Sequence, residues 1–197
     1  MISLIGFSGL IFSLLCSIIV LIFFFFQYKK YSETIFYYAL YGSVISIAIS
    51  FLALMFCYVL SDFSNYNVFQ NSHSSKPLLY KITGTWGNHE GSMLLWLLIM
   101  TFYNLFFSFN KKLDNDLKKL TIFFQSSLYI CFSLFVLFTS NPFLATSIEI
   151  NEGLGLNPIL QDPALAIHPP LLYIGYVGFS LVLSLALAGL ILNKIDT

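Results

Sequence analysis

LIGFSGLIFSLLCSIIVLIFFFF, residues 4–26, carries no charge over 23 residues and runs directly into Gln27, Tyr28, Lys29 and Lys30. A bilayer core about 30 Å thick needs about 20 apolar residues in a helix, so this stretch predicts a membrane span. Four further stretches follow the same rule. Residues 35–60 are uncharged; 92–109 are short and end at NKKLDNDLKK; 120–140 and 171–192 complete the set, the last before the tail NKIDT. The stretches are too long and too evenly apolar for barrel strands, and open strands would leave amides unpaired in lipid. The expected fold is an all-α polytopic membrane protein: one membrane domain over 1–197 with five transmembrane helices and two long outer loops, 61–91 and 141–170.

Composition agrees. Of the 197 residues, 58% are hydrophobic and only 9% charged, more apolar surface than a soluble domain of this length can bury. Nine lysines, no arginine and nine acids give zero net charge, which removes the electrostatic basis for nucleic acid binding. Membrane lipid is the implied surrounding. The cysteines, Cys16, Cys57 and Cys131, sit in apolar stretches without a Cys-x-x-Cys pair and are expected to pack as buried thiols.

The lysines orient the chain. Seven (29, 30, 111, 112, 118, 119, 194) fall on one side of the predicted spans and two, Lys76 and Lys81, on the other. Positive residues collect on the inner side, so the N-terminus is expected outside and the C-terminus inside, with both long loops facing the periplasm or intermembrane space. No charged n-region precedes the first span, which reads as an uncleaved anchor. Heavy use of Phe, Ile, Tyr, Asn and Lys suits an AT-rich organelle genome.

All three histidines lie in the outer loops, and no span interior holds Asp, Glu, Lys or His, so neither a proton relay nor gating charges are expected. The stretch SDFSNYNVFQNSHSS after the second span reads as loop. The first loop then ends in KITGTWGNHEGSMLLW, where Trp86, His89 and Glu90 alternate with glycines just before the third span. Two readings stand. His89 and Glu90 touch a bound cofactor, or Trp86 and His89 anchor at the interface while Glu90 caps the third span. The second loop carries three acids, no lysine and the pairs Asn157-Pro158, Asp162-Pro163 and His168-Pro169, which favour extended backbone. In HPPLLYIGY, residues 168–176, Pro169 and Pro170 suit the first turn of the fifth span, with His168 extended at the helix mouth and its imidazole able to coordinate a metal.

TWGNHEGSMLLW (85–96), FTSNPF (138–143) and LNPILQDPALAIHPPLLYIGYVGF (156–179) resemble, in order, the N-terminal third of the CcmF family of cytochrome c haem lyases, within the haem-handling group that includes CcsA proteins. The resemblance covers most of the chain from Asp62 onward. It implies polytopic proteins that receive haem from a membrane-anchored haem chaperone and attach it to apocytochrome c thiols. The histidine of the family's outer HPP motif maps onto His168 and implies an axial ligand to the iron of haem b, the substrate. Trp86, His89 and Glu90 fall on the WGNHEGS motif, without a ligand role carried over; His73 matches no motif and reads as a solvated loop residue. The family's Trp-rich haem segment, second outer histidine and intramembrane histidines lie beyond the match, and EGLGLNP (152–158) stands where relatives carry charges.

The expectation is therefore the N-terminal subunit of a split cytochrome c haem lyase, partnered by the remaining lyase fragments, haem chaperone and apocytochrome c. The mitochondrial inner membrane is the expected location, with the bacterial inner membrane as the alternative. The alternative function is a structural subunit of a larger respiratory complex of the inner membrane without lyase activity.

Overall fold

The computed structural model describes residues 1–26, 32–146, 150–155, 157 and 161–194, apart from the side chain of Leu165. Among the described residues seven helices follow in order: α1 (Ile2–Phe25), α2 (Ser32–Leu60), α3 (Tyr66–Asn71), α4 (Leu78–Gly84), α5 (His89–Ser108), α6 (Asn115–Thr139) and α7 (Pro163–Leu192). Five of them, α1, α2, α5, α6 and α7, are long and apolar enough to cross a membrane. The chain is an all-helical polytopic membrane protein. Lys29 and Lys30 lie outside the described residues, as do Glu149 and Pro158 of the second loop.

Lipid offers no hydrophobic drive between helices, so close backbone approach and interhelical hydrogen bonds must hold the bundle. The α1–α2 pair does this with small residues. A Cβ on Gly9 would lie 2.8 Å from the Ser46 carbonyl oxygen, and one on Gly42 would lie 3.1 Å from the Cys16 sulfur. Across this seam the Ser13 hydroxyl donates to the Ser43 carbonyl at 2.8 Å and Ser50 to the Gly6 carbonyl at 2.8 Å. The Tyr129 hydroxyl reaches Ser13 at 2.6 Å and brings in α6. Leu10, Ile47, Leu54, Leu94, Leu97 and Met100 fill the space between α1, α2 and α5, each fully buried.

Polar side chains continue the pattern. Gln125 on α6 donates to Ser180 at 2.7 Å and accepts from Ser184 at 2.9 Å, joining α6 to α7. Asn104 on α5 donates to Ser126 on α6 at 3.2 Å. Tyr103 on α5 donates to the Ile174 carbonyl of α7, an approach that Gly178 leaves open. Cys16 and Cys57 are buried, but Cys131 is exposed on the outer flank of α6. An apolar stretch in a membrane helix has an outward face as well as a core face, and Cys131 lies on the outward one.

The two ends of the bundle differ. At one, Lys119 pairs with Glu33 at 3.1 Å and Lys194 with Asp114 at 2.6 Å. The Asp114 carboxylate also accepts the amides of Asp116 and Leu117, and so starts α6 at Asn115, five residues ahead of the expected boundary. The Lys194 ammonium and these amides hold the Asp114 carboxyl below its usual range. At the other end the two long loops pack on each other and on α1. Asn65 and Ala145 form an isolated antiparallel bridge, and the Asn65 amide donates to the Pro142 carbonyl (3.0 Å) and to Ser3 (3.1 Å). The segment expected to be irregular contains α3, whose N-terminus Asn65 caps by accepting the Val68 amide.

Candidate functional site

His73, His89 and His168 all belong to the end that carries the long loops. His168 is exposed, and its surroundings depend on where α7 begins. The helix starts at Pro163, eight residues before the expected Leu171, so His168 is helical rather than extended and Pro169 and Pro170 lie inside the helix rather than at its mouth. The reason is a better N-terminus upstream. Asp162 accepts the Ala164 amide at its carboxylate (2.8 Å) and the Ala166 amide at its carbonyl (2.9 Å), and Pro163 occupies the first helical position, where its missing N–H costs nothing.

The WGNHEGS segment packs beside this turn. Trp86 closes the bend between α4 and α5; its amide donates to the Thr83 carbonyl (3.2 Å) and its own carbonyl accepts the Ser92 hydroxyl (2.7 Å). The indole N–H donates to the Ala166 carbonyl at 2.8 Å, and the ring stacks on Phe51 at 6.4 Å between centroids. Between these elements lies a cleft of about 360 Å³, lined by Trp86, Gly87, His89, Met93, Pro169 and Tyr173 among others. His168 directly precedes a wall residue of this cleft.

Of the expected site residues, Trp86 and His89 share the cleft wall while Glu90 does not. His89 is exposed, and its Nε2 is 2.9 Å from the Ser140 hydroxyl, in the FTSNPF segment. Glu90 turns the other way and accepts the Asn67 side-chain amide at 3.0 Å. Asn67 donates as well to Asn88 (2.9 Å), which in turn donates to the Tyr58 hydroxyl (2.9 Å) and the Gly84 carbonyl (2.8 Å). Asn88, not Glu90, is the N-cap of α5, accepting the Gly91 amide at 2.8 Å. Glu90 adds a negative charge to the first turn, where the helix dipole favours it.

A Cβ on Gly91 would lie 1.7 Å from the Thr85 carbonyl oxygen, so only glycine lets α5 begin this close to the Trp86 bend. Asn67, Asn88, Tyr58 and Ser140 went unnoticed in the sequence. Asn88 alone had a local signal there, a capping residue type shortly before the apolar run that begins at Met93.

Two groups in the long loops have displaced pKa values. Burial lowers the Lys76 ammonium to about 8, with nearby Lys81 adding to the effect. Its Nζ donates to the Asn71 carbonyl at 3.1 Å. Glu152 is pulled down to about 2 by the Ser74 hydroxyl and backbone N–H, with the Gly153 amide and His73 assisting. His73, expected to be solvated, lies 3.8 Å from the Glu152 carboxylate.

The segments that build this cleft are the ones that known proteins share. Residues 86–196 match the family described as cytochrome C assembly protein. The chain belongs to that family. It is 56% identical over 151 residues to the cytochrome c-type biogenesis protein CycK of Rhizobium meliloti, covering 76% of this chain and 22% of the relative. It is 42% identical over 154 residues to the cytochrome c-type biogenesis protein CcmF of Escherichia coli K12, covering 77% and 24%. The fold matches a solved structure titled cytochrome c heme lyase CcmF with a TM-score of 0.85 at 24% identity, over 100% of this chain and 32% of that one. The chain thus spans about a quarter of the length of these cytochrome c biogenesis relatives. Within the cytochrome C assembly match lie Trp86, His89, Glu90 and His168.

Proposed function

We propose that this chain is the N-terminal subunit of a split cytochrome c haem lyase, and that His168 is an axial ligand which orients haem for attachment to apocytochrome c. The observation that carries this reading is the exposed His168 imidazole on the second turn of α7, next to the cleft shared by Pro169, Trp86 and His89. Imidazole is a common axial ligand of haem iron, and the aromatic walls from Trp86 and Tyr173 suit a flat apolar macrocycle. The chain's own residues contribute orientation: a ligand fixed on a helix turn presents the haem edge to the thiols in a set direction. The rest of the pocket belongs to lyase segments corresponding to the other three quarters of the relatives, with a haem chaperone as donor and apocytochrome c as acceptor.

The separation of the histidine end from the Lys119 and Lys194 end supports a placement with the long loops in the intermembrane space or periplasm and the lysines inside. Bacterial relatives support an inner membrane, and the Phe-, Ile- and Asn-rich composition supports a mitochondrial one. The test is His168→Ala in the chain co-assembled with the complementary lyase segments. The Soret band of the purified assembly is expected to weaken and cytochrome c maturation to fall. An unchanged spectrum with unchanged maturation overturns the reading.

A further inference from the structure

In a helix each amide donates to the carbonyl four residues earlier, and proline has no amide hydrogen. Pro170 therefore leaves the Ala166 carbonyl without its in-helix donor, two residues from His168. Ala166 is only 4% exposed, so water does not readily replace the missing partner, and an unpaired carbonyl in such a place is costly. The donor found there is the Trp86 indole N–H at 2.8 Å. Trp86 is fixed in turn, its amide on Thr83, its carbonyl under the Ser92 hydroxyl and its ring on Phe51.

We propose that the Trp86 indole N–H substitutes for the amide Pro170 lacks and so acts as the positioning residue that holds the His168 turn of α7 against the WGNHEGS segment. The arrangement fixes the histidine turn from outside the helix. The tryptophan therefore couples the entry of α5 to the presentation of the imidazole. Its relevance to haem rests on the reading of His168 given above, whereas the substitution of one donor for another does not.

The proline supplies its own control. Trp86→Phe keeps an aromatic ring toward Phe51 and removes the donor together with part of the indole's bulk, and the bulk is lost equally in either background; Pro170→Ala returns an amide to the helix and makes the outside donor redundant. Hydrogen exchange of the 161–168 segment, measured on the full chain in lipid nanodiscs, reads the turn without haem. Loss of one buried hydrogen bond predicts roughly five- to tenfold faster exchange in Trp86→Phe. In the Pro170→Ala background the same change is expected to alter exchange less than twofold. An equal effect of Trp86→Phe in both backgrounds, or none in the wild type, overturns the proposal.

If Pro170→Ala does not assemble, the indole proton of Trp86 in the wild-type chain decides. Slow exchange supports the bond, and exchange as free as in a solvent-exposed tryptophan overturns it. In the co-assembled lyase, Trp86→Phe is expected to weaken and shift the Soret band, with Pro170→Ala restoring it. A spectrum indifferent to His168→Ala, with the exchange coupling intact, removes the haem reading and leaves the positioning role; the reverse pattern removes the positioning role alone.

Discussion

Glu152 grips Ser74 from 78 positions away in the chain, its carboxylate accepting both the Ser74 backbone N–H at 2.8 Å and the Ser74 hydroxyl. This clamp ties the second long loop to the first. The same segment adds two backbone bonds, Leu154 N–H to the Phe69 carbonyl and Gly155 N–H to the Ser72 carbonyl, with Gly155 in the left-handed region at φ +94°.

Because the clamp favours the ionised carboxylate, the Glu152 pKa falls to about 2 from 4.5. A depressed folded-state value contributes stability that is complete above the unfolded pKa and disappears as pH falls through the folded one. The clamp is expected to hold at pH 5 and above and to loosen between about pH 4.5 and about pH 2. Protease nicking of the 150–155 segment at graded pH reads this, and Glu152→Gln should give the loosened pattern already at neutral pH.

Lys76 gives a dependence of the same sign in a higher pH window. Its ammonium is disfavoured by burial, with a folded value near 8 against 10.5 unfolded, so the native state binds protons less readily than the unfolded one. Stability is expected to rise with pH above about 8 and to level off near 10.5. Thermal melts across that window in Lys76→Met should lack this increment.

Gly91→Ala should be among the most damaging single substitutions. The new methyl would meet the Thr85 carbonyl, which is backbone and cannot swing aside. A cost of about 3 kcal/mol or more follows, with the start of α5 pushed off the Trp86 bend. Detergent thermal stability should drop sharply, whereas Gly175→Ala, a helix-interior site with open space around its Cβ, should leave it unchanged or slightly raised.

Gln125→Leu removes the side chain that bonds Ser180 and Ser184. Both serines keep backbone acceptors in α7, Ser180 on Val177 and Ser184 on Ser180, so the loss is limited to about 1 kcal/mol. Melting of the purified chain should fall by a few degrees. Cysteine crosslinking between α6 and α7 should become less selective.

Five spans were legible in the sequence because hydrocarbon thickness is a constraint any long apolar stretch records. Their ends were less legible, for local reasons. The HPP prolines read as a helix start only when Asp162-Pro163 is ignored, yet an aspartate cap with proline at the first position is the stronger signal. Cys131 looked buried because an apolar sequence does not distinguish a neighbour helix from lipid. His168 and Trp86 could each be picked out, but their relation could not, since it depends on a bond spanning 80 positions. Glu90 was open between two roles because its partner, Asn67, lies on a short helix inside a segment that looked like loop.

Three contacts from three different parts of the chain grasp α7 along its length: Trp86 at Ala166, Tyr103 at Ile174, and Gln125 at Ser180 and Ser184. A slip of this helix by one residue would turn it through about 100° and break all three at once. The compass bearing of the imidazole is therefore locked to the frame of the bundle rather than left to the helix that bears it.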